Sequence, residues 1–248
     1  MKRTVFAMVL LVIAFSTFAA NVIEKGDLVK VTVKSESGKI EIARKKGYTF
    51  FSAPIGSEYT ISVRNTSSRR ILVIPTVDGL NVIDRSKGNW DGSGYVLEPY
   101  RTVDIPGFRR QDDFQYVERF TFNKSRFSLA NRIGDVQNVG VIGVAVFEEY
   151  VPPPKPAMKY SRSMDAKCGS APQAECEERA GTEAGRTVHD PVRRVNFRRA
   201  TDNPAEILAL YYDTEENLIS AGILPPHYTP PPVGFRSPFP SNYANYIK

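Results

Sequence analysis

From Leu28 to Phe147 apolar residues recur largely at every second position, the spacing of half-buried β-strands. Leu28, Val31 and Val33 lie in segment 27–33, and Ile40 and Ile42 alternate in 38–44. Segments 48–52 and 58–64 follow; in the latter Tyr59, Ile61 and Val63 share one face, and Glu58, Thr60, Ser62 and Arg64 the other. Asn65 to Ser68 form a polar turn before the apolar run 69–77, and Asp78-Gly79 is a turn signal leading into 80–84. Further strands are predicted at 94–99, 101–107, 115–122 and 138–149. The last is apolar on both faces: Val139, Val141, Gly143, Ala145 and Phe147 point one way, Gly140, Ile142, Val144 and Val146 the other. Such a strand belongs in the middle of a sheet, with Val141, Val144 and Phe147 in the core. About nine or ten short strands without alternating helices predict a mainly β fold, an antiparallel, jelly-roll-like β-sandwich. Only Arg126 to Ile133 suggests a short helix in this half.

Beyond residue 150 the pattern changes. Residues 20–150 contain four prolines (Pro54, Pro75, Pro99, Pro106), whereas 151–248 contain the other 14. The run Pro152-Pro153-Pro154-Lys155-Pro156 fits neither helix nor central strand and predicts an extended spacer. Residues 157–190 have no sustained period and read as irregular. Segment 192–199 alternates around Val195 and Phe197, while 206–212 fits either strand or helix. Asp213 and Glu216 have capping-box spacing, and Leu218, Ile219 and Gly222 fit a two-turn helix stopped by glycine. The expected organisation is a signal peptide at 1–19, a sandwich at 20–150 and a linker at 151–190. A hairpin and short-helix appendage at 191–224, docked on the first half, and a Pro-rich tail at 225–248 complete it.

The N-terminus sets the compartment. Lys2 and Arg3 precede an apolar run from Val5 to about Ile13, then small residues, the layout of a secretory signal peptide. Cleavage after Ala19 places Thr17 and Ala19 where small side chains are required; Ala20 is the neighbouring alternative. No later apolar run approaches 18 residues, so no transmembrane span is expected in the mature chain. Periplasmic or extracellular residence follows. Without Lys2 and Arg3, 31 basic residues face 27 acidic ones, too mild an excess to indicate nucleic acid. In an exported chain the only cysteines, Cys168 and Cys176, predict a local disulfide contributing about 2–3 kcal/mol.

Five short strings carry a resemblance: 77–82, 94–97, 138–147, Gly181-Thr182 with Gly185, and Tyr211-Tyr212-Asp213 with Glu216-Asn217-Leu218 and Gly222-Ile223. They resemble a group of exported, β-rich bacterial proteins with no assigned activity. The resemblance implies compartment and fold class, and no catalytic residues.

Catalytic signals are few. The two histidines, His189 and His227, exclude a multi-histidine zinc site, and no HExxH, GxSxG, phosphate-binding or dinucleotide-binding loop occurs. No cofactor is expected. His189 reads as a loop residue before Pro191. Asn89 to Gly94 imitates the opening of a calcium loop, yet Tyr100 stands where a bidentate Glu is required, so a hairpin turn is the better reading. Asp112-Asp113 and Glu148-Glu149 are adjacent pairs, which on a strand point to opposite faces and cannot work as an acid/base couple. Trp90, Asp91, Tyr95 and Tyr100 form the candidate ligand-binding set, because aromatic rings on a sandwich loop can stack on sugars. Tyr228, Phe235, Phe239 and Tyr243 recur along the Pro-rich tail and predict that it packs on a protein surface. The leading expectation is a non-catalytic envelope or secreted protein acting by binding or assembly, with an envelope protein or a second copy as partner. The alternative is a carbohydrate-binding or carbohydrate-active protein using the aromatics near Trp90, with a glycan as partner.

Overall fold

The computed structural model describes residues 21–134, 137–152 and 180–226. The expected signal peptide, Cys168 and Cys176, His227, and the tail aromatics Tyr228, Phe235, Phe239 and Tyr243 lie outside them.

Two seven-stranded sheets pack face to face. The first contains β1 (Asn21–Lys25), β2 (Val29–Ser35), β5 (Glu58–Asn65), β9 (Thr102–Ile105), β10 (Gly107–Arg109), β11 (Tyr116–Lys124) and β13 (Ala180–His189). The second contains β3 (Ile42–Lys45), β4 (Tyr48–Ser52), β6 (Ile71–Val77), β7 (Leu80–Asn81), β8 (Tyr95–Leu97), β12 (Val141–Glu148) and β14 (Glu206–Asp213). The chain crosses between sheets repeatedly, and every pairing is antiparallel except β14 with β4. The predicted alternation determines the packing: Val29, Val31 and Val33 of β2 and Tyr59, Ile61 and Val63 of β5 face inward. They meet Ile142, Val144 and Val146 of β12 and Leu210 and Tyr212 of β14 in one continuous core. Among the described residues two short α-helices, α1 (Leu129–Arg132) and α2 (Glu215–Ser220), and a 3-10 turn at Ser125–Phe127 complete the fold.

Four expectations require correction. Residues 180–189, read as irregular, form β13 along one edge of β11. Its first three residues, Ala180, Gly181 and Thr182, are small and buried on both faces, so hydrophobic alternation is missing. Segment 192–199 is not half of a hairpin. Its expected mate, β14, is already paired on both edges, with β12 and with β4. The segment runs instead as an irregular strap over the second sheet, where Phe197 packs on Leu72, Ile74 and Phe147. Consequently β14 is an interior strand rather than part of an appendage. Val141 and Phe147 belong outside the main core: with Gly143 and Ala145 they face away from the first sheet, Phe147 being buried there under the strap, whereas Val144 packs between the sheets. Finally, α2 is capped by Thr214, whose hydroxyl accepts from Asn217 N at 3.2 Å, one residue later than the capping-box spacing suggests. Asp213 is committed elsewhere, accepting from the Ala180 amide at 2.7 Å.

Candidate functional site

The outward faces of the two sheets differ in chemistry. On the first sheet they carry Lys30, Thr32 and Lys34 of β2 and Thr60, Ser62 and Arg64 of β5, with Lys34 paired to Asp104 at 3.0 Å. This is a solvated face of the kind an antiparallel sheet presents to water. On the second sheet the register places apolar residues in rows across three or four strands. Phe50, Tyr211 and Val141 form one row; Ala209, Gly143 and Thr76 the next; Ile207, Ala145 and Ile74 the third. The 192–199 strap covers the fourth row, Phe147 and Leu72, and also Ile74 of the third. Among the described residues the first two rows are half-buried, while Ile207 of the third is 56% exposed and Tyr48, beside Phe50 on β4, 52%. Tyr48 and Phe50 gather around Tyr211 with ring centroids 5.4 and 5.3 Å away.

Two grooves that share Asn138 and Val141 in their walls lie on this face. One of about 230 Å³ lies beneath Trp90 and is floored by Thr76, Val141, Gly143 and Ala145, with Asn89 and Asn138 on its rim. The other, about 800 Å³, extends from Asn138 and Val141 past Phe50 and Tyr211 to Ile223. Gly143 is the reason the floor is low: a Cβ there would stand 2.7 Å from the Thr76 hydroxyl oxygen.

The expected aromatic set is only partly assembled. Trp90, 49% exposed, walls the small groove, and Asp91 next to it pairs with Arg199 at 3.5 Å. Tyr95 instead lines a separate groove of about 1100 Å³ between β8 and the strap. There its hydroxyl accepts from the buried Arg109, whose other donors hold the Phe114 carbonyl and both the carbonyl and carboxylate of Asp190. Burial pushes the Tyr95 phenol upward. Tyr100 sits in the β8–β9 turn with φ of 60° and is exposed. Residues 89–94 contain a turn at Trp90-Asp91. The acidic pairs are held by arginines: Asp112 by Arg110, Glu148 by Arg69 and Glu149 by Arg70. His189 ends β13 rather than lying in a loop, with its ring 5.1 Å from Tyr116.

One buried polar cluster was not anticipated. Asp78 and Gly79 form the β6–β7 hairpin turn, both with positive φ (54° and 80°), as a two-residue turn requires. That conformation turns the Asp78 carboxylate inward, to 1% exposure. Oδ1 accepts from Gly140 N at 2.8 Å and the Tyr212 hydroxyl at 2.6 Å, and Oδ2 from Thr182 N at 2.6 Å. The Thr182 hydroxyl contacts the hydroxyls of both Tyr212 and Tyr59 at 2.6 Å. Burial pushes Asp78 up to about 6, against the three donated hydrogen bonds, and raises both phenols. Sealed from solvent, the cluster is a structural tie between the sheets, with no room for a substrate.

The fold defines a two-sheet, mainly β protein. Comparison of the chain with protein-family models, curated proteins and solved structures finds no match. Among the described residues no helix is long and apolar enough to cross a membrane.

Proposed function

We propose that the protein is an exported, non-catalytic, jelly-roll-like sandwich that acts by binding, with the outer face of its second sheet as the contact surface. The carrying observation is the contrast between the sheets: partly uncovered rows of mainly apolar residues, from Phe50, Tyr211 and Val141 to Ile207, on one outer face, and charged and hydroxyl residues on the other. Exposed apolar patches of this kind, rimmed by polar groups, mark interaction sites. The basic-apolar-small N-terminus supports residence in the periplasm or outside the cell, where the partner is an envelope protein or a second copy of the chain. Interior strands apolar on both faces, β12 and β14, are what such a surface requires.

A photocrosslinking side chain placed at Ile207, with one at Thr32 as control, tests this in the producing cell. Adducts to an envelope protein or a second copy from 207, and none from 32, are expected. Equal yields from both faces would refute it.

A glycan is the second reading, favoured by one observation: Trp90 walls a groove whose rim carries the amides of Asn89 and Asn138. Saturable binding of an oligosaccharide that is lost in Trp90→Ala would favour it over a protein partner.

A further inference from the structure

We infer that the open face of the second sheet is the seat of this chain's own C-terminal segment, residues 227–248, lying across it as an extended strap that a partner must displace. The inference rests on the binding reading above and assigns that surface a built-in competitor.

The segment starts at the right place. After α2, Gly222 turns the chain back with φ of 64°, and the amides of Ile223 and Leu224 both donate to the Leu218 carbonyl. Leu224 is thereby buried, and Ile223 lines the same groove as Phe50, Val141 and Tyr211. The last described residue, Pro226, thus follows by three residues Ile223 on the wall of the larger groove, which shares Asn138 and Val141 with the groove beside Trp90. Reach is ample. At about 3.1 Å per residue a Pro-rich extended chain of this length can span roughly 68 Å. The four strands of the face, about 4.8 Å apart, cover only about 15 Å.

Chemistry matches as well. The segment carries two fixed charges, Arg236 and Lys248, among Tyr228, Phe235, Phe239, Tyr243 and Tyr246. The two grooves carry one charged residue each, Lys87 and Asp213, and Gly143, Ala145 and Ala209 are small positions between larger neighbours on this face. The charged outer face of the first sheet provides no such site. A Pro-rich sequence has less conformational entropy to lose on docking than a flexible one.

Trp90 is the chain's only tryptophan, which makes its fluorescence a direct reporter. In the mature chain, acrylamide quenching of Trp90 is compared with a chain ending at Pro226 and with the full-length double variant Phe235→Ser/Phe239→Ser. The expected result is a quenching constant raised about twofold in both, as the ring loses its cover. A synthetic 227–248 peptide added to the shortened chain should restore the original value. Unchanged quenching in the folded double variant would overturn the proposal, and so would shielding that falls away on dilution, which would assign the face to a second copy. Should the shortened chain not fold, the double variant decides. If Trp90 ignores the tail while crosslinks from 207 reach a partner, the strap is wrong and the binding face stands. If Trp90 responds to the tail but crosslinks from 207 reach only the tail, the strap stands and the partner reading fails.

Discussion

Tyr212 donates its hydroxyl to Asp78 Oδ1 at 2.6 Å, joining two residues 134 positions apart. Asp78 lies in the turn between β6 and β7 of the second sheet; through Thr182 and Tyr59 the same network reaches two strands of the first. The sandwich is thus fastened by a polar tie as well as by its apolar core. Asp78→Asn should destabilise the fold by about 2–3 kcal/mol, because an amide directs NH2 at one of the three donors now satisfied. Tyr212→Phe should cost about 1–2 kcal/mol, as Gly140 still serves Oδ1 and Tyr59 still serves Thr182. Urea unfolding of both variants measures this.

Stability should depend on pH through the same carboxyl. Its folded value, about 6, lies above the ordinary 3.8, so the folded chain holds the proton more tightly. Unfolding therefore releases a proton between about pH 4 and 6, and stability falls as pH rises through that window, by up to about 3 kcal/mol. Asp84 and Asp104, both lowered, act below pH 4 and in the opposite sense. Denaturation midpoints from pH 4 to 7 should slope downward in the wild type, and the slope should vanish in Asp78→Asn.

A second tie joins the β1–β2 turn to β14. The Glu206 carboxylate accepts from the amides of Asp27, Leu28 and Val29 at 2.5, 2.9 and 3.2 Å. Gly26 permits this approach, since a Cβ there would lie 2.0 Å from Oε1. Gly26→Ala should cost about 2–3 kcal/mol by displacing a charge-assisted cluster, and Glu206→Ala a similar amount. Combined, the two changes should be far from additive, which a double-mutant cycle reads directly.

Export and the thiol pair are tested by mass. The secreted protein should begin at Ala20, and its mass should rise by two hydrogens on reduction of a Cys168–Cys176 bond. A chain beginning at Met1, or free thiols in native protein, would remove those expectations.

The strands legible in the sequence were those with strict alternation, such as Glu58–Asn65, or with apolar residues on both faces, such as Val141–Glu148. Ala180–His189 was illegible because close packing against Asp78, Ser128 and Val139 demands small residues there. Val195 and Phe197 alternate as a strand would, but no sheet edge is free at β14 to receive them. Trp90, Tyr95 and Tyr100 are neighbours in sequence whose side chains go to three places, a matter of turn geometry that spacing does not encode. The Asp78 cluster had a signal in hindsight. Asp78, Gly140, Thr182 and Tyr212 each fall in one of the five short strings singled out in the sequence. The open face had one too, in the double apolar pattern of Ile207, Ala209 and Tyr211 beside Leu208, Leu210 and Tyr212.

The binding surface itself is tested most directly by reversing its polarity at one point. Ile207→Asp and, as control, Thr32→Asp are compared with wild type for the size of the assembly that contains the chain in envelope extracts, by sedimentation. Both lie on outer faces and should shift stability by no more than about 0.5 kcal/mol. Ile207→Asp should release the protein as a single chain while Thr32→Asp leaves the assembly intact. An assembly that survives Ile207→Asp unchanged would contradict the account.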